Sequence, residues 1–242
     1  IMEIDTGTNV KLFADGADLE GIQALANNPK IRGFTTNPSL MRKAGIEDYE
    51  LFARSVLIAV PNLPVSFEVF ADEPDEMERQ ALEIASWGSN VNVKIPVTNT
   101  KGDFSGDLIK RLSSAGVHLN ITAIMTVQQV RQVAACLSDD APAFVSVFAG
   151  RIADTGRDPV PIMRNCVEEL AQRPRAELIW ASPRELLNIL HADSIGCHII
   201  TITTDVLVKL PLIGKDLAEY SLETVKMFHA DAASAKYQIK IR

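Results

Sequence analysis

Eight short runs rich in β-branched and aromatic residues recur along the chain with helical stretches between them, and this alternation limits the fold more than any other feature. The runs fall at residues 10–14, 33–36, 65–70, 91–95, 119–124, 144–148, 178–181 and 198–203. Strands separated by helices of such length pair in parallel through right-handed crossovers. A chain of 242 residues also matches one closed (β/α)8 barrel of about 250. The expected fold is therefore α/β: a single (β/α)8 TIM barrel within residues 10–242, ending in a C-terminal helical extension over 215–242. Residues 1–9 are expected to form a polar N-terminal tail without a role in function. Readable helix starts are Asp18 before 19–26, Thr126 before 127–137, and Ser182-Pro183 before 184–190.

Within a barrel strand, successive side chains face the helices and the interior in turn. In the fourth run Val91, Val93 and Ile95 form the helix-facing set, which directs Asn92 and Lys94 inward. The same parity turns Ser66, Glu68 and Phe70 inward from the third run, with Val65, Phe67 and Val69 outside. From the fifth it turns Asn120 and Thr122 inward, leaving Leu119, Ile121 and Ala123 outside. Ser146 and Phe148 point inward from the sixth run, Thr35 and Asn37 from the second, and Asp15 shares the interior side with Phe13. These polar groups converge near the carboxyl ends of their strands, where barrel enzymes place their chemistry.

Composition removes several function classes. With 24 basic and 31 acidic residues the net charge is -7, so the long-range field repels nucleic acid and anionic lipid. No apolar stretch approaches the roughly 18 residues of a membrane span, and a cytoplasmic protein is expected. Cys136, Cys166 and Cys197 are widely spaced and odd in number, which fits buried free thiols in a reducing compartment. GxGxxG, GxxxxGK[ST] and HExxH are all absent, and the isolated histidines His118, His191, His198 and His229 offer no metal site.

A buried ammonium is costly, so Lys94 is either salt-bridged or deliberately desolvated. Desolvation of a lysine is what Schiff-base enzymes use to attack a ketone; the alternative is a structural Lys94–Glu68 ion pair. Asp15 and Glu68 are the candidate acid/base carboxylates, although Asp15 could simply cap the helix that follows it. Thr35, Asn37, Asn120, Thr122 and Ser146 suit a polyhydroxylated substrate or a catalytic water, or could satisfy one another by hydrogen bonding. Arg151, Ser182 and Arg184 follow the sixth and seventh runs, near the usual phosphate site of barrels. Otherwise Arg151 pairs with Asp154 and Arg184 lies solvated on its helix.

The segment Gly33-Phe34-Thr35-Thr36-Asn37-Pro38-Ser39 closely resembles a signature of the transaldolase family, and Val93-Lys94-Ile95-Pro96 looks like that family's Schiff-base strand. The likeness runs from Asp15 to about Asp205, through Asn120-Ile121-Thr122, 146–152 and Trp180-Ala181-Ser182. The resemblance implies Lys94 as nucleophile, Asp15 as acid/base at the cleaved carbon–carbon bond, and Glu68 with Thr122 holding a proton-relaying water. It also implies that Thr35, Asn37 and Ser146 meet the dihydroxyacetone unit and that Arg151, Ser182 and Arg184 meet the sugar phosphate, with Asn120 and Phe148 completing the substrate-binding set. No metal or organic cofactor is implied, and phosphorylated sugars are the expected substrates. The helical pattern of residues 215–242 resembles the C-terminal helices with which small family members build ring-shaped oligomers, so a homo-oligomer is expected. The family divides between transaldolases, which pass dihydroxyacetone to an aldose phosphate, and fructose-6-phosphate aldolases, which release it. Glu68, Ser146 and Phe148 stand where those aldolases typically carry Gln, Ala and Tyr, which favours transaldolase; a non-catalytic sugar-phosphate-binding barrel is the remaining alternative. The sequence departs from the family pattern at Gly16, where Thr or Ser is usual, and in a shortened stretch after Ser182.

Overall fold

The structure, a computed structural model, describes residues 7–16, 18–239 and 241. Along the chain lie β1 (Lys11–Asp15), α1 (Leu19–Ala26), β2 (Ile31–Thr35), α2 (Pro38–Lys43), α3 (Tyr49–Ala59), β3 (Val65–Glu68), α4 (Pro74–Ala85), β4 (Val91–Pro96) and α5 (Gly106–Ser114). There follow β5 (Leu119–Ile124), α6 (Val127–Cys136), β6 (Ala143–Val147), α7 (Ala149–Asp154), α8 (Pro159–Leu170), β7 (Ala176–Trp180), α9 (Leu187–Ser194), β8 (Ile199–Ile202), α10 (Thr204–Leu207) and α11 (Leu217–Ser234). Each strand pairs in parallel with the next and β8 pairs back to β1, closing the barrel. All eight expected strands occur, their ends moved by at most two residues.

Residues Gly7–Leu207 form one compact unit containing the barrel, and the segment from Val208 onward belongs to a second unit. In that second unit α11 follows the expected helical pattern and buries none of its residues. Most of the expected tail, residues 1–6, lies outside the described residues, while the amides of Asn9 and Val10 donate to Asp193 Oδ1 at 2.6 and 3.0 Å.

The helix-facing set is where the barrel gains its stability. Val65, Phe67, Val93, Ile95, Leu119, Ile121, Val145 and Val147 are all fully buried, each contributing about 1.5–3 kcal/mol by removal from water. Inside, the lower barrel is closed by Phe13, Phe144, Ile179 and Ile199, with the two phenyl rings edge to face at 5.4 Å. Gly33 makes room for this floor: a Cβ there would stand 2.6 Å from the Phe13 ring. Helix starts behave as their sequences require. Asp18 caps α1 through Gly21 N, and Thr126 with Gln129 forms a reciprocal capping box at α6.

Three local expectations are corrected. β3 ends at Glu68, so Phe70 does not enter the barrel; it is 55% exposed, and the Gln80 side chain ties down the amides of Phe70 and Ala71 at 2.7 and 2.9 Å. Ala123 does not continue the outward set, because the pairing with β6 shifts register between Ile121 and Ile124 and Ala123 adopts φ +63°; a bulge of this kind re-aims side chains beside a site. The helix expected from Arg184 begins instead at Leu187, since Ser182 is left-handed at φ +59° and Asn188 Oδ1 holds the amides of Arg184 and Glu185.

The three cysteines are free, with Cys166 and Cys197 buried and their thiols pushed up to about 12 by burial, which keeps them protonated. Among the described residues no helix is long and apolar enough to cross a membrane.

Candidate active site

Strand register brings the inward polar residues side by side. Glu68 pairs with Lys94 and Lys94 with Asn120 across β3, β4 and β5, while Asp15 pairs with Thr35 across β1 and β2. Above them opens a cavity of about 390 Å³ at the carboxyl ends of the strands. Its lining includes Asp15, Thr35, Asn37, Glu68, Lys94, Asn120, Thr122, Ser146, Phe148, Arg151, Ser182 and Arg184, every residue singled out from the sequence.

Lys94 is 6% exposed, and its Nζ donates to the Thr36 carbonyl at 2.8 Å and lies 3.3 Å from Glu68 Oε2. The ion pair that could make this lysine purely structural thus exists. It is nevertheless not walled in: the Glu68 side chain keeps 20% of its surface, and both groups line the open cavity. A carboxylate in this position can take a proton from the ammonium and return it to a neighbouring oxygen.

Asp15 is not a helix cap, that task falling to Asp18. Its Oδ1 accepts from Thr35 Oγ1 at 3.1 Å and its Oδ2 from Asn37 Nδ2 at 3.4 Å, and Asn37 in turn caps α2 by accepting from Leu40 N at 2.9 Å. Burial raises the Asp15 pKa above the usual carboxylate range, against the opposing pull of Lys94 and the Thr35 hydroxyl. A carboxyl so placed exchanges a proton more readily near neutral pH than an exposed one. Deeper down, Ser146 Oγ donates to Asn120 Oδ1 at 2.7 Å, and Asn120 Nδ2 donates to Ser66 Oγ at 2.9 Å. This chain of fully buried hydrogen bonds orients Ser146 and Asn120 beneath the cavity, as the mutual-satisfaction alternative foresaw.

At the rim, two arginines stand on the expected side. The Arg151 guanidinium lies 5.9 Å above the Phe148 ring. The expected alternative pairing is reversed: Asp154 binds Arg184, not Arg151, accepting at both carboxylate oxygens, one of them from Nε at 2.9 Å. Arg184 Nη1 also donates to Ser182 Oγ at 2.9 Å. Ser182 approaches α7 so closely that a Cβ on Gly150 would stand 1.5 Å from its carbonyl oxygen. The shortened stretch after Ser182 therefore still delivers Arg184 to the cavity.

Sequence reasoning missed Thr201, Thr203 and Ser39 in the lining and set Asp154 beside the wrong arginine. Thr201 was readable, since it pairs with inward-facing Phe13 between outward Ile200 and Ile202. The pairing of Asp154 with Arg184 carried no signal, because the two come from different strand–helix connections. Among the described residues no group of three or more His, Cys, Asp or Glu could hold a metal ion.

Fold and cavity together define a (β/α)8 barrel with a lysine and two carboxyls at its catalytic end. The chain matches the model of the Transaldolase/Fructose-6-phosphate aldolase family over residues 12–239, and it belongs to that family. It is 34% identical over 215 residues to a "Probable transaldolase" of Dehalococcoides mccartyi, covering 87% of this chain and 96% of that one. It is 34% identical over 233 residues to a "Probable transaldolase" of Streptococcus equi subsp. zooepidemicus, covering 94% and 100%. Among solved structures, an HpcH/Hpal aldolase/citrate lyase family protein from Burkholderia cenocepacia superposes with a TM-score of 0.59 at 15% identity, over 90% of this chain and 95% of that one. Dihydrodipicolinate synthase from Rhodopseudomonas palustris gives 0.54 at 14% identity, over 88% and 79%. At such identities these two likenesses speak for the barrel fold alone.

Proposed function

We propose that the protein is a transaldolase, moving a dihydroxyacetone unit from a ketose phosphate such as sedoheptulose 7-phosphate or fructose 6-phosphate to an aldose phosphate through a Schiff base on Lys94. The observation that carries this reading is the buried Lys94 Nζ, 3.3 Å from Glu68 at the base of a polar cavity that also holds Asp15. Glu68 takes a proton from the ammonium, and the free amine adds to the ketone. A proton passes from the added nitrogen to the alkoxide, giving the carbinolamine; the proton on Glu68 then returns to its hydroxyl, which leaves as water as the nitrogen pair forms the iminium. Asp15 then removes the hydroxyl proton beyond the scissile bond; the carbon–carbon electrons pass to the enamine and an aldose phosphate departs. The acceptor aldehyde reverses these steps. Thr122 shares the relay water with Glu68, and Thr35, Asn37, Asn120, Ser146 and Phe148 surround the three-carbon unit. Arg151, Ser182 and Arg184 receive the phosphate.

Borohydride with fructose 6-phosphate is expected to leave a stable adduct on Lys94; an active protein without one excludes the mechanism. Release of dihydroxyacetone that is independent of erythrose 4-phosphate would move the assignment to the aldolase branch. Exposed Leu217, Leu222, Val225 and Phe228 on α11 support a homo-oligomer, testable by its mass in solution. The buried free thiols favour the cytoplasm.

A further inference from the structure

The backbone of Glu68 sits where the barrel wall has lost a strand. Alternate residues of a strand turn their N–H and C=O groups toward the same neighbour, so Ser66 and Glu68 both face β2. The last bond across that seam runs from Thr36 N to Ser66 O at 3.3 Å. Beyond it β2 has ended at Thr35, and the chain has turned into α2. The opposite edge of β3 is occupied, with Val65 N donating to Asn90 O at 2.9 Å and Val69 N to Lys94 O at 3.1 Å.

Tyr49, the first residue of α3, fills the gap. Its hydroxyl accepts from Glu68 N at 2.8 Å and donates to Glu68 O at 2.9 Å, so one oxygen serves both backbone groups that a strand partner would have served. The ring is held edge-on by Phe67, Phe70 and Trp87 at centroid distances of 6.1, 4.5 and 5.8 Å. Burial raises the phenol pKa, so the group remains a donor at working pH.

We propose that Tyr49 is a positioning residue for the reaction: by pinning the Glu68 backbone it aims the carboxylate at Lys94 and at the water that iminium formation releases. This rests on the Schiff-base reading above. No other group on the β2 side of Glu68 is bonded to its backbone among the described hydrogen bonds. A misplacement of about 1 Å in a proton-transferring group is enough to lower a rate roughly a hundredfold.

Four proteins test it: wild type, Y49F, E68Q and the double variant, with F70A as a control for packing of the aromatic cluster. Readouts are single-turnover borohydride trapping with fructose 6-phosphate, kcat and KM with erythrose 4-phosphate as acceptor, and thermal melting. Y49F is expected to lower the trapping rate and kcat about 10- to 100-fold with KM within about twofold. In the E68Q background the same substitution is expected to cost less than about twofold, because two residues acting through one step are not additive. F70A, which keeps the hydroxyl and loosens only the ring that carries it, should cost less than Y49F. Equal losses from Y49F in both backgrounds, or no loss at all, overturn the proposal. Should Y49F melt too low to assay, amide exchange at Glu68 in the wild type decides: protection supports the hydroxyl clamp, and free exchange overturns it. Absence of any wild-type adduct overturns the Schiff-base reading and this proposal with it, whereas normal trapping by both wild type and Y49F overturns the Tyr49 role alone.

Discussion

Replacing Gly150 with alanine should separate recognition of the phosphate from chemistry at the lysine. The added Cβ would lie 1.5 Å from the Ser182 carbonyl oxygen, 2.7 Å from its carbonyl carbon and 3.3 Å from Arg184 Cζ. Ordinary contact begins near 3.5 Å, so the Ser182 backbone must retreat by about 2 Å. Ser182 already holds a left-handed backbone at φ +59°, a conformation costing about 1–3 kcal/mol that its surroundings must sustain. Overpacking of this kind is expected to destabilise by about 1–3 kcal/mol, lowering Tm by several degrees without unfolding the barrel. Displacing Ser182 and the arginine it contacts removes a charge-assisted hydrogen bond worth about 1.5–3 kcal/mol, roughly a 10- to 150-fold rise in KM. The assay compares erythrose 4-phosphate with unphosphorylated erythrose as acceptor. G150A should raise KM for the phosphorylated acceptor and for fructose 6-phosphate, spare unphosphorylated erythrose, and leave Lys94 trapping intact at saturating donor. A KM ratio unchanged between the two acceptors would refute the assignment of Ser182 and Arg184 to the phosphate.

Lys94→Met should abolish the borohydride adduct and reduce transfer to background, measured by mass spectrometry and coupled assay. Asp15→Asn should lower kcat about 10²- to 10⁴-fold while stabilising the fold at neutral pH. The native Asp15 pKa lies above its ordinary 3.8, so its contribution to stability is complete below that value and is lost as pH rises through the raised one. The Tm advantage of D15N over wild type should accordingly grow as pH rises above the ordinary value, and a constant difference would contradict a raised pKa. Asp154→Ala, which frees the Arg184 guanidinium at an exposed rim, should leave melting unchanged and raise KM only for phosphorylated substrates. Thr126→Ala removes the capping box of α6 and should cost about 1 kcal/mol, or about 2–4 °C in Tm by calorimetry.

The barrel was legible because β4, β6 and the first four residues of β5 carry an uninterrupted two-residue alternation, and a closed sheet converts that parity directly into inside and outside. Lys94, Asn120 and Ser146 fall where parity directs them, all three buried at the base of the cavity. Legibility stopped where the backbone leaves the regular ladder. Phe70 followed the alternation on paper, but β3 had already ended, and Ala123 was misread because a left-handed residue inserts into the strand without changing its composition. Contacts made between connections were equally silent. Nothing in the spacing of Asp154 and Arg184, or of Tyr49 and Glu68, announces that they meet, since each pair is joined only by the folded path of the chain.

The apolar plug formed by Phe13, Phe144, Ile179 and Ile199 has a kinetic consequence. In the transfer proposed above, a cavity closed beneath Lys94 by this plug is entered from the opposite side, so the first aldehyde must vacate that opening before a second can arrive. Donor and acceptor then never share the site, and initial-rate plots at several acceptor concentrations should run parallel, the mark of a ping-pong order.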